Sequence, residues 1–149
     1  MHVTVEALID APIDRTFAAL IDVARWPEHI PGIRSVELLT GPEIAPGARF
    51  REHRKIHGRE ASEVMTVEHL DAPALFVLTA KSHGALYRAT HRLEPRGAAT
   101  LLTLEFSAEP VTRMARLIAP FSRLFAWTLR AHLAGDLAAL KLAIEKPAR

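Results

Sequence analysis

The sequence predicts an α+β fold: a seven-stranded, curved antiparallel sheet wrapped around a long C-terminal helix, with two short helices after the first strand. Three observations predict it. Apolar residues alternate over residues 2 to 9 and in six further runs between Ile33 and Pro110, the period expected of strands with one buried face. The six later runs are separated by GPEIAPG, HGR, DAP, SHG and PRG, each carrying Gly or Pro, so consecutive strands turn back on one another as an antiparallel meander. From Val111 onward the period is helical: Phe125, Leu129, Leu133, Leu137, Leu140 and Ile144 form one stripe on a helix of about 25 residues. Such a helix buries its stripe only against the concave face of the sheet, a two-layer solution in which the other sheet face stays wet.

Each element follows from local chemistry. Val3, Val5, Ala7 and Ile9 share a face of the first strand. Asp10-Ala11-Pro12 then opens a helix, with Asp10 as the expected cap, Pro12 in the first turn and Asp14 at the positive end of the dipole. Phe17, Leu20 and Ile21 give that helix its apolar side. Pro27 and Pro31 leave room for a single further turn around Trp26. The strand runs are IRSVELLT, ARFREHRKI, EASEVMTVEHL, ALFVLTAK, ALYRATHRLEP and ATLLTLEFSAEP. No repeat, low-complexity tract or linker divides the chain, which reads as a single domain over residues 1–149.

Composition excludes several classes. Nineteen Lys and Arg stand against seventeen Asp and Glu, a net charge of +2 that requires no polyanionic partner. The absence of cysteine rules out disulfide scaffolds and thiolate chemistry. The alternating start MHVTVEALIDAP lacks the pattern of a signal peptide, and no apolar run is long enough to span a bilayer. A cytoplasmic protein without stable membrane insertion, monomeric or homodimeric, is expected. No HExxH, GxSxG, Walker or GxGxxG motif supports hydrolase or nucleotide chemistry.

Beyond these patterns, particular residues fall in a familiar order. They are Ala11-Pro12 before the first helix, Phe17 and Leu20 within it, Asp22 after it, and Trp26-Pro27 with Pro31. Val36-Glu37, Gly47, Phe50 and the Glu94-Pro95 corner follow. Over essentially its whole length the chain resembles the START-like (SRPBCC) superfamily of polyketide cyclases/dehydrases and lipid-transport proteins, with the helix-grip or Bet v 1-like fold. The resemblance implies a cavity between sheet and long helix that takes a hydrophobic small molecule such as a lipid, quinone or polyketide. A carrier or sensor is the first expectation, and a cyclase/dehydrase-type enzyme acting on a polyketide-like or other cyclic ligand is the alternative. No cofactor is implied. The motifs are folding signatures and carry no chemistry of their own.

The charged stretch RFREHRKIHGRE, residues 49 to 60, bears most directly on a site. Strand parity puts Phe50, Glu52, Arg54 and Ile56 on one face, and Arg51, His53, Lys55 and His57 on the other. The apolar pair marks the first face as inward. The second is then a solvated surface, neither a nucleic-acid strip nor, for His53 and His57, a metal site. Inward charges are rare unless paired, so Glu52 and Arg54 are either a structural ion pair at a cavity mouth or a polar anchor for a ligand. The same parity turns Tyr87 and His91 inward on their strand, where each could bond a ligand or move a proton. A satisfied core histidine is the ordinary alternative for His91. Glu63 shares a face with Met65 and Val67, although Val64 argues for the opposite register. His132 and Asp136 stand four apart on the long helix, as an imidazole and its orienting carboxylate or as a half-solvated pair. In the enzyme alternative the acid/base candidates are His91, Tyr87, His132, Glu52 and Arg54.

These readings place a pocket of roughly 300–1,000 Å³ between helix and sheet. Its expected lining is Phe50, Met65, Phe76, Leu78, Tyr87, His91, Leu104, Phe106, Leu129 and Leu133, with Glu52, Arg54 and His132 toward its polar end. Small residues at Ala89, Gly135 and Ala139 are expected to leave space unfilled. The stretch MARLIAPFSRLFAWTL, with Arg116 and Arg123 interleaved, reads as a helix leading into the core, or else as a segment touching a membrane surface.

Overall fold

The alternation of the N-terminal residues becomes β1 (His2–Ile9) in a computed structural model that describes residues 1–56 and 58–146, without the side chains of Ile56 and residues 121–125. Two short helices follow, α1 (Ile13–Ile21) and, after a 3-10 turn at Val23–Arg25, α2 (Trp26–His29). The meander is β2 (Ile33–Leu38), β3 (Arg49–Ile56), β4 (Arg59–Asp71), β5 (Leu75–Ser82), β6 (Ala85–Arg96) and β7 (Ala99–Pro110). The chain ends in α3 (Arg113–Ile118), a 3-10 turn at Ala119–Ser122, and α4 (Arg123–Glu145). His57 and the Phe125 side chain lie outside the described residues.

The seven strands form one antiparallel sheet in the order β1-β7-β6-β5-β4-β3-β2. Strand β1 pairs with β7 in a register that sets Val3 beside Phe106 and Val5 beside Leu104. Inner-face side chains from Val3, Phe50, Val67, Phe76 and Leu102 are buried and meet Leu137, Leu140 and Ile144 of α4 in one core. Burying each such side chain contributes on the order of 2 kcal/mol, and this holds the long helix on the sheet. The expected architecture is therefore the observed one.

Helices α1 and α2 cover one end of this layer. The Trp26 indole N–H donates to the Leu20 carbonyl at 3.0 Å, and its ring stands edge-on to Phe50 at 5.8 Å. Arg15 donates to the carbonyls of Ile144 and Lys146, supplying a cation where the last carbonyls of α4 lack helical partners. The Asp10 amide donates to Glu145 at 2.8 Å.

Three local expectations are corrected. Pro12, not Asp10, occupies the α1 cap position, and no side chain caps the helix there; the Asp10 backbone is instead tied to the end of α4. The stretch MARLIAPFSRLFAWTL is not a single helix: α3 and a 3-10 turn precede α4, whose 23 residues are the long helix expected. Nor does the first part of that stretch lead into the core: Met114, Leu117 and Ile118 of α3 are exposed, as is Trp127, and the core contacts lie on α4, at residues such as Leu129.

Candidate ligand-binding site

Strand parity carries β3 into the space under α4. Phe50 and Glu52 are buried and Arg54 half-buried on the inner face, while Lys55 on the outer face is exposed. Outward, Arg51 pairs with Glu37 at 3.1 Å. On β4 the parity left open by the sequence is decided: Glu63, Met65 and Val67 face in, and Val64 is exposed. Glu52 and Glu63 are partners across the β3–β4 ladder.

Arg54 organises the polar end. It donates to Glu52, to Asp136 of α4 at 2.8 Å and to Nε2 of His132 at 3.0 Å. His132 therefore accepts through Nε2 in this arrangement. The expected His132–Asp136 pair is replaced by a bridge: the guanidinium links the two side chains across the gap between helix and strand. Its fork of donors suits this work, whereas a lysine would supply one point charge. Burial disfavours charge on Arg54, but Glu52 and Asp136 together hold its pKa above the ordinary arginine value. Glu52 is only 4% exposed, and its Oε2 has no hydrogen-bond partner among the described residues. Burial pushes its carboxyl above the usual range; Arg54 opposes this, while Asp136 and Glu63 push the same way as burial.

His91, on β6, is buried beside the Phe76 ring at 5.6 Å. Its Nδ1 lies 3.1 Å from the Phe76 carbonyl, so Nδ1–H donates and Nε2 is left as an acceptor. Burial lowers its pKa to about 4, with the bond to Phe76 acting in the opposite direction. Tyr87 is shifted up by partial burial and by Glu63.

The Arg54 cluster and His91 border a chamber of about 260 Å³, slightly smaller than the range expected for a ligand pocket. Of the expected lining, Met65, Leu78, His91, Leu104, Phe106, Leu129 and Leu133 border it, with Glu52, Arg54 and His132 at the polar end. Tyr87 instead borders an adjoining recess of about 370 Å³, which shares Glu63, Met65, Leu78, Ala89, Phe106 and Leu129 with the chamber. Phe50 and Phe76 do not line the chamber: both are fully buried in the core behind its wall. Ala89 leaves space as expected, whereas Gly135 is exposed and Ala139 borders a separate cleft beside Glu28 and His29. The sequence reading missed Leu20, Trp26 and Ile30, which close the chamber from α1 and α2. Their apolar character was legible, but their meeting with the sheet depends on how the helices fold over it. Asp136 was legible as a carboxylate beside the stripe, and its partner was not.

The profile of the family described as polyketide cyclase/dehydrase and lipid transport matches residues 1–145. The chain belongs to that family. Among solved structures, TTHA0849 from Thermus thermophilus superposes with a TM-score of 0.78 at 18% identity, over 97% of both chains. Ara h 8.0201 gives a TM-score of 0.77 at 15% identity, over 97% of both. The Zhui aromatase/cyclase from Streptomyces sp. R1128 gives 0.73 at 18% identity, covering 100% of this chain and 96% of that one. At these identities the likeness establishes the fold, which is Bet v 1-like. No curated protein sequence matches the chain.

Proposed function

We propose that this family member binds a hydrophobic small molecule in the chamber between the sheet and α4, as a carrier or sensor. The observation that carries the reading is an apolar chamber closed at one end by the Arg54 cluster, where a buried oxygen of Glu52 lacks a partner. A buried polar atom left unsatisfied costs about 1–3 kcal/mol, and a ligand group that bonds it recovers part of that cost. A neutral hydroxyl suits Glu52 in either state, because it accepts from the protonated acid and donates to the carboxylate. A ligand carboxylate does not suit it. Glu52 and Asp136 already share Arg54, and a further anion there would meet like charge in a poorly hydrated space. A fluorescent apolar probe is expected to bind one-to-one and to be displaced by a long-chain alcohol better than by the fatty acid of equal length. Ala89→Trp or Leu104→Trp, each filling the chamber, should abolish probe binding without unfolding the protein. Unchanged binding in both variants overturns the reading.

A second reading rests on a different observation. Glu52 is shifted toward its protonated form and His91 toward its neutral form, and both border one chamber. Two groups whose surroundings push them apart in this way divide the acid and base roles between them, as a dehydration or cyclisation of a polyketide-like ligand requires. The Zhui neighbour is described as an aromatase/cyclase. The discriminating experiment is mass spectrometry of a co-purified or added ligand. A carrier returns it unchanged; an enzyme returns it cyclised or short of one water, and loses that activity in Glu52→Gln and His91→Gln while still binding the probe.

A further inference from the structure

The segment after β7 carries a feature the cavity does not use. From Val111 to Gly135 the chain contains Arg113, Arg116, Arg123 and Arg130 and no Asp or Glu. Its first helix, α3, is anchored from one side only. Thr112 caps it by accepting from the Ala115 amide at 3.1 Å, and Ala115 is its one buried residue. The neighbouring turn fixes its position: the Val111 amide donates to the Gly84 carbonyl at 2.8 Å. Gly84, at φ +76°, leaves no room for a Cβ, which would sit 2.5 Å from Thr112 Oγ1.

The rest of α3 is turned to solvent. Met114, Leu117 and Ile118, spaced to share one helix face, are each more than half exposed. Past the 3-10 turn, Trp127 on α4 is 80% exposed. Single exposed apolar residues need no explanation, but a run of large ones within one segment does. Arg113 and Arg116 flank the α3 stripe and are exposed. Arg130 is held at the surface by a bond of 3.0 Å to the Thr4 carbonyl. The nearest preceding acid, Glu109, lies near Arg88 and alternates with Ala108 and Pro110 on the other face of β7.

We propose that α3 and Trp127 of α4 dock this protein reversibly on an anionic lipid surface. Apolar side chains that include a tryptophan, bordered by arginines, match the layered polarity of a bilayer interface. A second copy of the chain fits less well. A two-fold contact would set the same patch against itself, bringing arginines together with no acid in the segment to pair them. Among the described residues no helix is long and apolar enough to cross a membrane, so the contact is peripheral. Leu129, two residues from Trp127, borders both the chamber and its recess, which puts the docked segment beside the cavity. The docking itself does not depend on what the cavity holds.

The experiment is sedimentation with vesicles of phosphatidylcholine, alone or with about one-third phosphatidylglycerol, read alongside tryptophan emission. Trp26 is buried and Trp127 is not, so a blue shift on binding reports Trp127. The expected result is retention on the anionic vesicles, weakened by salt, with a blue shift. Leu117→Glu should abolish both, and its exposed position leaves folding intact. The double variant Arg113→Gln/Arg116→Gln should lower partitioning by roughly 25-fold, about fivefold per cation. Equal retention on neutral and anionic vesicles overturns the proposal, as does a Leu117→Glu protein that binds like the parent. So does a blue shift that grows with protein concentration in the absence of lipid, which would assign the patch to a second copy.

Discussion

Replacing Arg54 with Met removes the cation that Glu52 and Asp136 share while keeping the apolar stem that packs in the chamber wall. Breaking a buried ion pair from one side costs about 3–5 kcal/mol. Here the side chains of Arg54 and Asp136 are 19% and 17% exposed and that of Glu52 is 4% exposed. Asp136 therefore regains water and Glu52 does not, which points to the lower end, about 3 kcal/mol, or roughly 10 °C in Tm. The loss should depend on pH in a definite direction. Glu52 already titrates above its ordinary value of 4.5 in the folded state, and losing Arg54 raises it further. A carboxyl whose pKa is raised by folding contributes stability below its unfolded pKa and loses that contribution as pH rises. The deficit relative to the parent should thus be greatest at neutral pH and shrink as the pH is lowered and Glu52 takes up its proton. Adding Glu52→Gln to Arg54→Met should recover more than half of the deficit, because the amide leaves no buried charge. Urea melts of the parent, both single variants and the double variant across this pH range give the whole cycle. An Arg54→Met protein within about 0.5 kcal/mol of the parent at neutral pH would refute the account, as would a deficit that acidification leaves unchanged.

His91 gives the opposite pH signature, because burial holds it neutral down to about 4, against an ordinary value of 6.5. Its contribution is complete above pH 6.5 and should fall by about 3 kcal/mol as pH drops through this interval. In His91→Gln this slope should vanish from the urea melts; its persistence would show that other groups carry it. Leu137 is fully in the core, so Leu137→Asp should cost several kcal/mol and abolish the cooperative thermal transition seen by circular dichroism. Leu133 is only half-buried and borders the chamber, so Leu133→Asp should melt well above Leu137→Asp yet lose the apolar probe. Equal melting of the two would contradict the placement of α4.

Much of the fold was legible because strand and helix periods are local. The alternation in RFREHRKI settled which side of β3 faces in without knowledge of its neighbours, and the Gly or Pro breaks delimited the strands on either side. The apolar face of α3 was left between two readings, core or membrane surface, for the same reason. Periodicity shows that a segment has an apolar side, but not whether anything lies against it. Thr112 and the turn at Gly84 hold α3 by Ala115, and this leaves Met114 and Leu117 exposed.

The sequence by itself determined the layers and the inward placement of Glu52, Arg54 and His91, since each rests on spacing between near neighbours. Only the tertiary structure decided that Arg54 meets Asp136 and His132, residues 82 and 78 positions away along the chain. It alone decided that Phe50 and Phe76 lie behind the wall while Trp26 and Ile30 help close the chamber. The physical reason is that a side chain's face is set by backbone period, whereas its contacts are set by the packing of elements distant in sequence. The charge on Glu52 and the room available to a ligand both depend on that packing.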